Sequence, residues 1–246
     1  MLRIIYRVLM FQLAFFAQLA IARAQMTGDS LFVSKVVHTI HYNFLKSQKG
    51  SSPVFNGKVY NDHPKFKDHE HAYFQTHQYT IGSVVYNGIF YPELRLKYDI
   101  LRDELVLLDD DQIDGIVLQP EYVDSFFIHG YQFINIKPEI PHKGIEIGYY
   151  NLLYKGESLS LLVKRAKEVT EKIDQQIEKV ISQKETYYLL KNSIYQPIKS
   201  KNDLLKLLRR TDDKNQEYIK ANKLNFGKDF EHSVLSIVRF NDATDK

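Results

Sequence analysis

Gly82-Ser83-Val84-Val85-Tyr86-Asn87-Gly88-Ile89-Phe90-Tyr91 sets two β-rich runs around an Asn-Gly pair. Asn and Gly both tolerate the positive φ angles of a two-residue hairpin turn, so this stretch predicts two antiparallel strands. Just beyond it Leu94, Leu96 and Tyr98 alternate with Arg95 and Lys97. Period-two alternation predicts a strand with its apolar side chains buried and both cations in water.

The same pattern extends outward on both sides. Strands are expected at Glu104 to Leu108, Ile116 to Leu118, Ser125 to His129, Tyr131 to Ile136, Gly148 to Tyr154 and Ser158 to Lys164, the last after a turn at Lys155-Gly156-Glu157. Short strands at intervals of about ten residues predict an antiparallel meander, folded as a sandwich or an open curved barrel. The expected fold class is α+β, mainly β, with a β domain at 54–164 and a helical C-terminal extension. No helix pattern interrupts the β region, which argues against a parallel dinucleotide-binding sheet.

From residue 165 to 246 the expectation is helix, hairpin, then helices. Between Glu168 and Lys184, Val169, Ile173, Ile177, Val180 and Ile181 succeed one another at spacings of four, four, three and one, an amphipathic helix pattern. Tyr187 to Leu190 and Ile194 to Ile198 flank Lys191-Asn192-Ser193 as a second hairpin. Ser200, with Asp203 three residues later, predicts an N-cap ahead of Leu204, Leu205, Leu207 and Leu208. Asp212 to Asn222 and Lys228 to Phe240 are further helix candidates, with Gly227 as a stop between them.

The N-terminus carries the parts of an export signal. Arg3 and Arg7 precede an apolar run from Val8 to Ala22, interrupted by Gln12 and Gln18 and closed by Ala22-Arg23-Ala24. The run falls short of the roughly 20 apolar residues of a spanning helix, so residues 1–24 are expected to be a cleaved signal peptide. A segment at 25–53 then leads into the β domain. The chain has no cysteine, which excludes both a lipid-bearing cysteine and a disulfide framework. The expected address is exported, periplasmic or outer-membrane associated, without a lipoprotein anchor or a transmembrane span. Removing Arg3, Arg7 and Arg23 leaves 33 − 3 = 30 basic against 30 acidic residues, and a neutral chain is a poor nucleic-acid binder.

Several of these stretches together carry a resemblance. The run Gly82 to Gly88 with Tyr91, Leu96, Tyr98-Asp99 and Asp103-Glu104-Leu105-Val106, the run Leu152 to Gly156 with Leu162 to Arg165, Tyr187-Tyr188-Leu189, and Tyr218-Ile219-Lys220 with Asn222-Lys223-Leu224 and Phe226 resemble a family of uncharacterised exported proteins of Gram-negative bacteria. The resemblance spans most of the chain after residue 24. It implies strands first and helices last, and it brings no catalytic residue with it.

Candidate chemistry starts from histidine. His63, Asp68, His69, Glu70, His71 and His77 fall in one short stretch. On a strand His69 and His71 share a face, so they could chelate Zn or Cu with His63 or His77 as a third ligand. The spacing matches no established zinc signature, and a polar His-bearing loop is the simpler account. Asp110, Gln112, Asp114, Gly115, Val117 and Glu121 fit positions 1, 3, 5, 6, 8 and 12 of a calcium loop. Gln at position 3, Pro120 at position 11 and a strand where an exit helix belongs favour an acidic β-turn. The chain lacks a Gly-x-Ser-x-Gly elbow, a Ser-x-x-Lys pair, a phosphate-cradling glycine loop and a His-Glu-x-x-His helix. A triad or carboxylate pair assembled from distant residues stays open. With 17 Tyr, 15 Phe and no Trp, the aromatic load suits sheet faces and contact surfaces.

The expected function is that of a non-enzymatic binding or structural module of the cell envelope, whose partner is an envelope protein or a small apolar or glycan ligand. The alternative is a metal-binding protein or metal-dependent hydrolase using His63, His69, His71 and His77.

Overall fold

The structure, a computed structural model, describes residues 52–63, 66, 70–108, 114–138, 143–173, 177–208 and 213–244. The expected signal at 1–24 and nearly all of the segment 25–53 lie outside them. Pro53–Lys246 forms one compact unit.

The strands of this unit are β1 (Lys58–Val59), β2 (Thr80–Tyr86), β3 (Ile89–Asp99), β4 (Glu104–Leu108), β5 (Gly115–Val117), β6 (Val123–Ile128), β7 (Tyr131–Ile136), β8 (Gly148–Lys155), β9 (Leu159–Ile173), β10 (Ile177–Lys191) and β11 (Ile194–Ile198). They make one open antiparallel sheet in the order β1-β5-β4-β3-β2-β6-β7-β8-β9-β10-β11. Two meanders therefore run outward from the β2–β6 pair. Asn87 and Gly88 take φ of 50° and 75°, the turn that the sequence demands, and Tyr86 pairs with Ile89 across it. His129-Gly130 and Asn192-Ser193 build the β6–β7 and β10–β11 turns in the same way.

The sheet is strongly curled. β3 and β8 are four strands apart, about 19 Å if the sheet were flat. Yet the rings of Tyr98 on β3 and Tyr149 on β8 lie 5.8 Å apart. Phe126 and Phe133, directly paired across β6 and β7, stack at 4.8 Å between them. Phe74 enters from the segment before β2 and meets Phe133 edge-on at 5.2 Å. The bend is completed where the Lys167 N–H donates to the Ile100 carbonyl at 3.0 Å. The open curved form, and not a two-sheet sandwich, is thus how the meander buries its apolar face.

The expected helix between Glu168 and Lys184 is instead the outer part of the β9–β10 hairpin. A spacing of four suits a helical stripe, but four is also even, so it equally suits one side of a strand. The hairpin register sets Val169 opposite Ile181 and Ile173 opposite Ile177. β-Branched residues favour that outcome over a helix. β9 crosses residue 164 without a break.

Three helices come next: α1 (Lys201–Leu208), α2 (Asp213–Ala221) and α3 (Phe230–Thr244). Ser200 caps α1, its Oγ accepting the Asp203 N–H at 3.1 Å, as the sequence predicts. Asp229 caps α3 by accepting the His232 N–H at 3.1 Å. Leu204, Leu208, Ile219, Val234, Ile237 and Val238 from the helices bury against Leu161, Val163, Leu189 and Ile198 of the sheet. Each such side chain contributes about 1.5–3 kcal/mol by leaving water. Asp242 then locks the last turn of α3 onto the β8–β9 turn. Its carboxylate accepts the Tyr154 hydroxyl at 2.8 Å and the N–H groups of Glu157, Ser158 and Leu159 at 3.1, 2.9 and 2.8 Å. A Cβ on Gly156 would strike that carboxylate, so this position requires glycine. None of the helices among the described residues is long and apolar enough to cross a membrane.

Candidate functional site

The opposite end of the sheet is built from polar groups. After β1, the Tyr60 N–H donates to the Gly115 carbonyl at 2.7 Å. The chain returns at Ala72 to Phe74, which runs beside the end of β3. The Phe74 N–H reaches the Tyr98 carbonyl at 2.8 Å, and the Ile100 N–H reaches the Ala72 carbonyl at 3.0 Å.

Asp99, fully buried, is the hub of this end. Oδ1 accepts the N–H groups of Leu101 and Arg102 at 2.9 and 3.0 Å, fixing the β3–β4 turn. Oδ2 accepts the Tyr60 hydroxyl at 2.8 Å and meets His63 Nε2 at 2.6 Å. The hydroxyl of Tyr73 lies 3.1 Å from that of Tyr60 and donates to Asp62. Each tyrosine thereby has its own acidic acceptor, and burial together with those acceptors pushes both phenols up.

Lys97 departs from the expected alternation. Arg95 is exposed as predicted, but the Lys97 side chain is only 5 % exposed. Its Nζ lies 4.2, 4.7 and 5.1 Å from the ring centroids of Tyr73, Tyr79 and Tyr60, with Asp62 Oδ2 at 3.5 Å. Ring faces and one carboxylate replace part of its hydration. Burial still lowers its pKa, against the opposing pull of Asp62. The Asp62 carboxyl is also lowered: burial would raise it, but the Tyr73 hydrogen bond and Lys97 outweigh that.

Beside this network opens a cleft of about 950 Å³, lined by Lys58, Tyr60, Arg102, Glu104 and Glu121 among others. Arg102 is held in place by stacking 5.7 Å over the Tyr60 ring and by donating to the Asn61 carbonyl at 2.7 Å. Burial and the nearby Asp99 raise the pKa of Glu104. Gly57 presses so closely on the Val117 carbonyl that a Cβ there would collide with it. Among the described residues, none of Lys58, Arg102, Glu104 and Glu121 forms an ion pair within 4 Å.

The histidines divide. His63 is committed to Asp99. His71 stacks on Tyr73 at 6.0 Å, its Nδ1 accepts the Tyr73 N–H at 3.2 Å, and Lys167 Nζ stands 3.4 Å from the same nitrogen. The His77 ring centroid is 6.0 Å from that of His71. Burial, then Lys167 and His77, lower the pKa of His71. His69 and Asp68 lie outside the described residues, and Glu70 accepts the Ile181 N–H at 3.0 Å. No group of three or more metal-competent side chains occurs among the described residues. Of the calcium pattern, Asp110 and Gln112 lie outside the described residues, Gly115 and Val117 belong to β5, and Val123–Ile128 is a strand.

Sequence reasoning misses Asp99, Lys97 and the cleft. The signal is Lys97-Tyr98-Asp99, where a strand ends in charges on one face and cannot keep both of them wet once that face is covered. The chain matches no family model, no curated protein and no solved structure.

Proposed function

We propose that this protein is an exported, non-enzymatic binding module of the cell envelope, and that the cleft beside β1 is where it takes its partner. The observation that carries this reading is the contrast in charge use. Asp99, Asp62 and Lys97 answer one another inside the network, whereas Lys58, Arg102, Glu104 and Glu121 at its mouth stand further apart and make no ion pair within 4 Å among the described residues. Charges held on a rigid frame are suited to an incoming ligand. A neutral chain after removal of the leader fits a specific partner better than a polyanion.

The test is a pull-down from envelope fractions with the wild-type chain and an Arg102→Ala/Glu121→Gln variant. A partner retained by the first and lost by the second is expected. Recovery of nothing, or of the same proteins by both, would count against the proposal.

A Zn or Cu site on His63, His69, His71 and His77, in a metal carrier or metal-dependent hydrolase, is the second reading. It is favoured by the neighbouring His71 and His77 rings and by the lowered pKa of His71, since the neutral imidazole is the ligand form. Elemental analysis of untagged protein decides it: less than about one-tenth of an equivalent of Zn or Cu per chain ends that reading.

A further inference from the structure

The cleft lies on the face of β1, β5 and β4, and the strand register places its charges. Lys58, Val117 and Val106 stand in one row across the three strands. Glu104, two residues before Val106 on β4, points to the same face. The Leu118 N–H donates to the Leu105 carbonyl at 2.9 Å, which carries the pairing one residue past Val117 and brings Gln119 beside Glu104. Val117 and Gln119 thus make the floor between Lys58 on the β1 side and Glu104 on the β4 side, and Arg102 reaches in from the β3–β4 turn.

Glu104 is half-buried, yet its carboxylate accepts no hydrogen bond from a described residue. Burial and then Asp99 raise its pKa, so it gains from a cation brought against it. Arg102 spends one Nη1 bond on the Asn61 carbonyl, and the rest of its fork meets no described acceptor. Lys58 and Glu121, both exposed, repeat the two signs at the rim. A ligand of one sign would meet like charge as well as opposite charge, whereas a ligand carrying both can satisfy both sets. Tyr60, the aromatic of the lining, is buried with Lys97 and Arg102 against its ring, so neither a quaternary ammonium nor a sugar finds an open aromatic face. A primary ammonium, with its own N–H donors, needs only a carboxylate. At about 950 Å³ the cleft is at the top of the range for small-ligand sites.

We infer that the cleft binds a compact zwitterion, a primary ammonium and a carboxylate carried on one small unit, with the ammonium on Glu104 and the carboxylate on the Arg102 fork. This rests on the binding-module reading above. Two sources carry that chemistry: a free short peptide, through its two termini, or the basic C-terminal residue of a partner chain, through its side chain and α-carboxylate.

The test is an NMR titration of the isotopically labelled chain with two pairs of probes. The first pair is trialanine with free termini and trialanine blocked at both ends. The second is an acetylated alanine pentapeptide closed by lysine, with its carboxylate free or amidated. In at least one pair the zwitterionic probe is expected to shift the amides of Lys58, Glu104 and Gln119 saturably, about tenfold more tightly than its counterpart. The tighter of the two zwitterions names the source. Glu104→Gln and Arg102→Ala should each weaken that probe about tenfold and leave its counterpart unchanged, with the amide shifts of Leu161 and Val163 showing that both variants are folded. Equal affinity within both pairs would overturn the zwitterion and leave the cleft a binding site. No shift with any probe would overturn it as well, and the envelope pull-down would then decide the binding module by itself.

Discussion

The two ends of this sheet solve the same problem with different materials. At the β9–β11 end, helices α1 to α3 cover the strands mainly with aliphatic side chains, and two carboxylates of α3 serve as latches, Asp242 on the β8–β9 turn and Glu231 on Arg165 of β9. At the β1–β5 end none of the described helices covers the sheet; Tyr60, Asp62, His63, Tyr73 and Tyr79 are gathered there around Asp99 and Lys97. Apolar packing is non-directional and fills space, so the first end can close over a broad area with few aimed contacts. Hydrogen bonds are directional and position groups, so the second can hold Arg102 at the mouth of a cleft while its own buried charges are satisfied.

Substitutions at the two ends should therefore fail differently. Ile237→Ala removes a fully buried side chain from the helix–sheet core and should cost about 4 kcal/mol in global stability by denaturant titration, with binding in the cleft unaffected while the protein remains folded. Asp99→Ala strands the Tyr60 hydroxyl and two backbone N–H groups, and should cost about 3 kcal/mol and abolish cleft binding even where the helices remain folded. Gly156→Ala drives a methyl group into Asp242 and should cost about 2 kcal/mol, read as a lower Tm with the β1 end unchanged.

Acid gives a smaller effect, which Asp242 reports at the helix end. Burial would raise the Asp242 carboxyl, but the N–H of Ser158, the Tyr154 hydroxyl and the N–H groups of Leu159 and Glu157 hold it below its usual value of 3.8. The folded state therefore keeps it ionised where the unfolded chain has begun to bind a proton. Its stabilisation is complete above the unfolded pKa and is lost as pH falls through the folded one. Denaturant midpoints measured from pH 5 downward should decline, and Asp242→Asn should flatten that decline. The smallest effect belongs to the exposed Lys184–Glu168 pair on the β9–β10 arm, where Lys184→Ala should leave the midpoint unchanged within error.

Local chemistry is what the sequence discloses. Asn87-Gly88 dictates its hairpin because no other backbone suits that pair so well, and Ser200 announces α1 through a bond three residues long. The β9–β10 arm is ambiguous in sequence because a spacing of four satisfies both periodicities, and only the partner strand decides between them. Alternation puts Lys97 in water, which is correct for a bare sheet. The cover over it comes from Tyr60, Tyr73 and Tyr79, far away along the chain. The cleft is invisible in sequence for the same reason, since residues near 58, 103 and 119 meet only once β1 has docked on β5.

Native-state hydrogen exchange, comparing wild type with Asp99→Asn, tests most directly whether the polar network holds the cleft end by itself. The amides of Tyr60, Phe74 and Ile100 should lose most of their protection in the variant, while those of Leu161, Val163 and Leu189 keep theirs. An equal loss across both sets, or no loss at Tyr60, would contradict it.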